Sequence, residues 1–264
     1  MSINEWISSR EIHGRTTFSM SLVREGFPTK SQNSLKVELK RLSDRGRIRS
    51  VYNGYYVTIP VEYRLRGVIP PVYYIDGLMQ HLGRKYYVCL LSAAAMYGAA
   101  HQRPMKTQVM TDGTPLKPSK RNPYIDWNNR KEIPMSLLVP KQGQQGIVWY
   151  SSPELTAVDL VQFANHIGGY QRVATVLAEL VDSLDIAKIH EVIPYTTITT
   201  LQRLGYILEF VLEEKEKSDA LYDILKTCKR TNSVLMRSNH FRGAKLEGNR
   251  WWVNANIKIE IDDL

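Results

Sequence analysis

Residues 47–59, RIRSVYNGYYVTI, constrain the chain more than any other stretch. Two runs rich in β-branched and aromatic residues flank Asn53-Gly54. An Asn-Gly pair between such runs is a strong hairpin signal, because a type I′ turn needs positive φ at both central residues. Three helical patterns precede the hairpin. Residues 4–12 give a first amphipathic helix, stopped near Gly14. Thr16 or Thr17 can cap a second through Phe18, Met20, Leu22 and Val23, ended by Gly26 and Pro28. Thr29-Lys30-Ser31-Gln32 has the spacing of a capping box and opens a third helix that runs to about Arg45. Three helices followed by a hairpin predict a winged helix-turn-helix, closed by Pro60.

The expected fold class is α+β, an N-terminal winged helix-turn-helix followed by a larger mixed α/β C-terminal domain. The boundaries expected are 1–65 for the winged domain, 66–83 for a linking helix, its pattern lying in VYYIDGLMQHLG (72–83), and 84–264 for the second domain. There, residues 86–88 lead into an Ala-rich helix, LLSAAAMYGAA, and strand patterns fall at 106–111, 135–139 and 146–150. Residues 113–130 read as loop, with Pro115, Pro118 and Pro123. Helices are expected from a cap at Thr156 to Gly168-Gly169, over 171–184, 196–212 and 219–228, and closing strands over 234–236, 251–254 and 257–261.

Charge is unevenly placed. Residues 1–66 carry twelve Lys/Arg against six Asp/Glu, and residues 84–141 carry ten against three, whereas residues 142–264 carry thirteen against sixteen. Two basic blocks ahead of a slightly acidic half point to a polyanionic partner, nucleic acid above all. No apolar run reaches the ~20 residues of a membrane helix. No secretory signal is visible at the N-terminus, and two distant cysteines, Cys89 and Cys228, fit reduced thiols in a cytoplasmic protein.

The third helix has an unusual polar side. At 100° per residue, Leu35, Leu39 and Leu42 fall within about 60° of one another and form the buried stripe. Lys30, Asn33, Ser34, Val37, Lys40 and Arg41 lie opposite. Most solvated helix faces mix Glu with Lys, and this one is amide, hydroxyl and base. In a helix-turn-helix such a face enters the major groove. Asn and Arg bond adenine and guanine at two atoms each, and Val touches a thymine methyl. Lys30, Lys36 and Lys40 suit phosphates, and Arg47, Arg49, Tyr52 and Asn53 of the hairpin suit the neighbouring backbone or minor groove. A second candidate nucleic-acid patch contains Arg103, Lys106, Lys117, Lys120, Arg121, Arg130 and Lys131, with Tyr124 and Trp127 among them to stack on bases. It would extend a DNA footprint or meet RNA.

At this point the sequence resembles the AbiEi antitoxins of bacterial abortive-infection, type IV toxin–antitoxin systems. The resemblance rests on RIRSVYNGYYV (47–57), YYVCLLSAAAMYGAAHQRP (86–104), SSPELTAVDLV (151–161), GGYQRVATVLAEL (168–180) and LQRLGYILE (201–209), in that order. It implies a winged domain that binds operator inverted repeats in double-stranded DNA upstream of its own operon and represses it. It further implies a C-terminal domain that assists repression and opposes an AbiEii-type toxin resembling a nucleotidyltransferase, without a need for a stable complex.

Catalytic patterns are missing. The six histidines are scattered without a partner at zinc-ligand spacing, and no phosphate-cradling Gly loop or G-x-S-x-G elbow occurs. His101 reads as structural. The nearest enzyme pattern joins Asp126 to Glu213-Glu214-Lys215, but EEKEK (213–217) is what a solvated helix end looks like. No catalytic residue, metal ligand or cofactor is therefore expected. Two rivals stay open at this stage, a nuclease or nucleic-acid-modifying enzyme tethered by a winged helix, and a protein-interaction adaptor.

Overall fold

Ser2 opens the first helix through a reciprocal capping box. Its hydroxyl accepts from Glu5 N at 3.2 Å, and the Glu5 carboxylate accepts from Ser2 N at 2.8 Å. That backbone bond holds the Glu5 carboxyl below its usual value. The structure is a computed structural model, and it describes residues 1–64, 68–99, 104–143, 146–229, 233–234 and 248–261. The chain is mixed α and β and divides into two compact units. The first gathers residues 1–87, 105–133 and 140–149, and the second residues 88–104, 134–139 and 150–264.

The first unit begins α1 (Ile3–Ile12), β1 (Thr17–Ser19), α2 (Met20–Gly26), α3 (Gln32–Asp44), β2 (Ile48–Tyr52) and β3 (Tyr55–Thr58). The second helix therefore starts later than its pattern suggests. Thr17 to Ser19 pair with β3, with Phe18 opposite Tyr56, and Ser19 caps α2 by accepting from Leu22 N at 3.1 Å. The sheet order is β1-β3-β2, and the Phe18 and Tyr56 rings stack at 5.5 Å. Beneath it Ile7, Val23, Leu35, Leu39 and Ile48 are nearly fully buried, contributed by all three helices and by the hairpin. The hairpin turn is not type I′. Gly54 takes φ +70°, and Asn53 does not join it among the residues with positive φ. The β2–β3 register also slips between Ser50 and Tyr52, so Val51 drops out of the ladder as a bulge.

A short helix, α4 (Val61–Arg64), and a 3₁₀ turn, Pro71–Tyr73, precede α5 (Ile75–Leu82), which ends on Gly83 at φ 63°. α5 packs on the hairpin side, where His81 stacks on Tyr55 at 4.9 Å. Next come β4 (Tyr86–Val88), α6 (Leu90–Ala94), β5 (Thr107–Thr111), β6 (Ile125–Asn129), β7 (Leu138–Gly143) and β8 (Gly146–Ser151). The five strands form one sheet in the order β6-β5-β4-β8-β7, carried mostly by the first unit. Residues 125–129, expected as loop, are thus a strand, parallel to β5 with Thr107 opposite Ile125. The expected strand over 135–139 instead begins as a 3₁₀ turn, Met135–Leu137.

The second unit is mostly helical: α6, then α7 (Pro153–Gln162), α8 (Tyr170–Leu180), α9 (Ile189–Val192), α10 (Ile198–Phe210) and α11 (Lys215–Leu225). α7 is capped by Ser152, not Thr156, and Pro153 fills its first position, where no N–H is needed. Every residue from Glu154 to Val161 is buried, which makes α7 the central helix. Glu154 is 4% exposed and accepts from Asp185 N at 3.1 Å. α11 starts inside EEKEK, four residues before its expected start at 219. Two short parallel strands, β9 (Ser233–Val234) and β10 (Val253–Asn254), close the chain. Met236 lies outside the described residues, and residues 257–261 form no strand. Trp251 is fully buried beside Gly205 of α10, where a Cβ would come within 2.2 Å of its ring. Its indole N–H donates to Glu209 at 2.6 Å, and Arg250 bonds Glu209 and Asp219, each at 2.6 Å.

Candidate nucleic-acid interface

α3 is capped by Ser31, whose hydroxyl accepts from Ser34 N at 3.2 Å, one register later than the Thr29 spacing implied. Leu35 and Leu39 are each 1% exposed against the core. That fixes the helix's rotation and turns Asn33, Ser34, Lys36, Val37, Lys40 and Arg41 to solvent, with Val37 49% exposed.

The remaining sequence-predicted residues divide. Lys30 is half-buried, paired with Glu38 at 2.5 Å and lying 5.6 Å over the Phe27 ring. Its charge is largely spent within the fold. Arg47 is similarly engaged: it donates to Glu11 through both terminal nitrogens, at 2.8 Å for Nη1, and to Ser8 Oγ at 3.1 Å. This guanidinium ties the hairpin to α1 instead of facing outward, because the carboxylate it needs sits on the neighbouring helix. Arg49 and Tyr52 are half-buried, and Asn53 is exposed at the turn. Burial raises the Tyr74 phenol well above its ordinary value, and the positive charge of Arg49 acts in the opposite direction.

The second patch splits in the same way. Lys106, Lys117, Lys120, Arg121 and Lys131 are exposed, whereas Arg130 is 8% exposed and so withdrawn from the surface. Arg103 and His101 lie outside the described residues. The structure brings this loop to the hairpin. Arg121 Nη1 donates to Asn53 Oδ1 at 3.4 Å, and its charge offsets the burial that raises the Tyr56 phenol. Asn122 Nδ2 donates to Val51 O at 2.9 Å. Sequence reasoning passed over Asn122, which reads as an ordinary turn residue in a Pro-rich basic loop; only the tertiary fold reveals its partner. It also passed over Ser8 and Glu11 for the same reason.

The chemistry available here is binding. Exposed bases and amides on α3 and on the loop offer hydrogen bonds and positive charge to a polyanion. Asp126 belongs to the first unit and Glu213-Glu214 to the second. Among the described residues no three His, Cys, Asp or Glu side chains gather as a metal site would require, and no helix is long and apolar enough to cross a membrane.

The sequence model described as the AbiEi antitoxin C-terminal domain matches residues 86–210. The fold is similar to the crystal structure of the RV2827C protein from Mycobacterium tuberculosis, with a TM-score of 0.64 and 14% identity over 94% of this chain and 88% of that one. No curated protein matches the chain significantly.

Proposed function

We propose, for a chain that belongs to the AbiEi antitoxins through its residues 86–210, that this antitoxin is also a DNA-binding repressor of its own operon. On this reading residues 1–65 are a winged helix-turn-helix. α3 enters the major groove, and the β2–β3 hairpin is the wing that follows the adjacent backbone. Asn33, Ser34, Val37 and Arg41 face base edges, while Lys36 and Lys40 hold phosphates. Lys117, Lys120 and Arg121 extend the footprint from the loop beside the wing. The C-terminal antitoxin domain opposes a nucleotidyltransferase-like toxin in the manner of a type IV system, in the cytoplasm and without catalysis of its own.

The observation that carries this reading is the solvent face of α3. It holds two amide or hydroxyl side chains, three bases and an exposed Val, with the lone acid of its middle turns, Glu38, already paired to Lys30. The test is a gel-shift titration on the DNA immediately upstream of the gene, against a scrambled duplex at two salt concentrations. Stepwise, salt-sensitive shifts confined to the upstream DNA are expected. Equal weak binding to both duplexes would overturn the repressor reading and leave the antitoxin role standing.

A further inference from the structure

We infer that Asn122 is a positioning residue that aims the hairpin, a role that rests on the DNA-binding reading above. The argument starts at the bulge. With Ser50 opposite Tyr56 and Tyr52 opposite Tyr55, Val51 has no partner in the β2–β3 register. A bulge residue loses its ladder bonds, and a buried carbonyl without a donor is costly. Asn122 supplies the donor from 71 positions along the chain, through a buried bond of 2.9 Å. Its side chain is 2% exposed, and its own Oδ1 meets no hydrogen-bond partner among the described residues. A loop that merely needed to be soluble would not bury an amide at that cost.

The loop is itself braced at this point. Asn122 N donates to Ser119 O, and Arg121 N donates to Ser119 Oγ, both at 3.1 Å. The turn so formed places Arg121 on Asn53 while Asn122 holds Val51. Two successive residues of the loop therefore grip two sites on the hairpin, one buried and one exposed. A wing is otherwise a two-stranded ribbon, which twists easily. Bulges of this kind re-aim side chains, and this one is pinned from outside the hairpin. The hairpin and the bases Lys117, Lys120 and Arg121 then move as one rigid contact, which lowers the ordering cost of binding.

The test compares wild-type protein with Asn122→Ala and Asn122→Asp, which remove the donor with and without change of shape. Both are read by gel shift and by hydroxyl-radical footprinting on the upstream DNA, with circular dichroism as the check on folding. Operator affinity should fall about tenfold, the effect of one lost buried bond. Protection should vanish on the flank under the hairpin and loop while that under α3 persists. An unchanged footprint and affinity would overturn the proposal, as would uniform weakening under α3 and flank alike, the mark of a purely structural residue. If these variants fail to fold, the exposed pair decides. Arg121→Ala and Asn53→Ala should be non-additive in operator binding, and additivity would overturn the clamp. Wild-type protein that shows no preference for its upstream DNA would instead sink the DNA-binding reading, and the clamp with it.

Discussion

Lys30 and Arg47 are bases whose charge is used inside the fold, by Glu38 and by Glu11 with Ser8. Among the described residues Arg41 has no such engagement, and it stands exposed on α3. Composition counts all three alike; the difference lies in which acid the fold delivers to each. Replacing Arg41 by Ala should relax specificity at a single base position, at a cost of about 1–3 kcal/mol if it reads a guanine. Selection of binding sites from a randomised operator would show this. Uniform weakening of every sequence would make Arg41 a phosphate contact. The outward residues of α3 were legible because the Leu35, Leu39 and Leu42 stripe fixes which side is free. Asn122 was not legible, because nothing within its own loop records that Val51 needs a donor.

Helices declare themselves through period and caps, and the elements here show how far that goes. α3 lies where its apolar spacing puts it, yet its cap is Ser31 and not Thr29. Two hydroxyl residues within three positions compete, and the choice is made by where the chain can leave the extended conformation. Ser31→Ala should destabilise the first unit by about 1 kcal/mol, seen as a lower urea midpoint, since one N-terminal N–H loses its acceptor. Thr29→Ala should leave that midpoint unchanged. Short strands were harder to read. β1 is three residues long, and β6 is Ile-Asp-Trp-Asn-Asn, whose polar composition resembles a loop. Each is a strand because a neighbour supplies its hydrogen bonds, β3 in one case and β5 in the other.

On the scale of the whole molecule, the charge map and the fold bear on one quantity. The two basic blocks of the sequence both contribute to the first unit, since residues 105–133 fold into it. If six phosphates are neutralised per protomer, log K for the operator should fall with log salt at a slope of about −5, from ~0.9 ions released per contact. Substituting Lys117, Lys120 and Arg121 together by Ala should bring the slope to about −3. An unchanged slope would remove the loop from the footprint. Local pattern could not show that distant segments share a unit, because β5 and β6 are parallel and joined by residues 112–124 without a helix between them.

That interleaving has a consequence during synthesis. The first unit draws on residues as late as 149, while the second already claims residues 88–104. A nascent chain that has emerged only to residue 87 lacks Asn122, which lies 71 positions after Val51, so Val51 O goes without this donor until residue 122 is made. The hairpin can form early, but its final aim is set only when the loop arrives. On the proposed repressor reading, competence to bind an operator would then come late in the making of each molecule, after most of the first unit has left the ribosome.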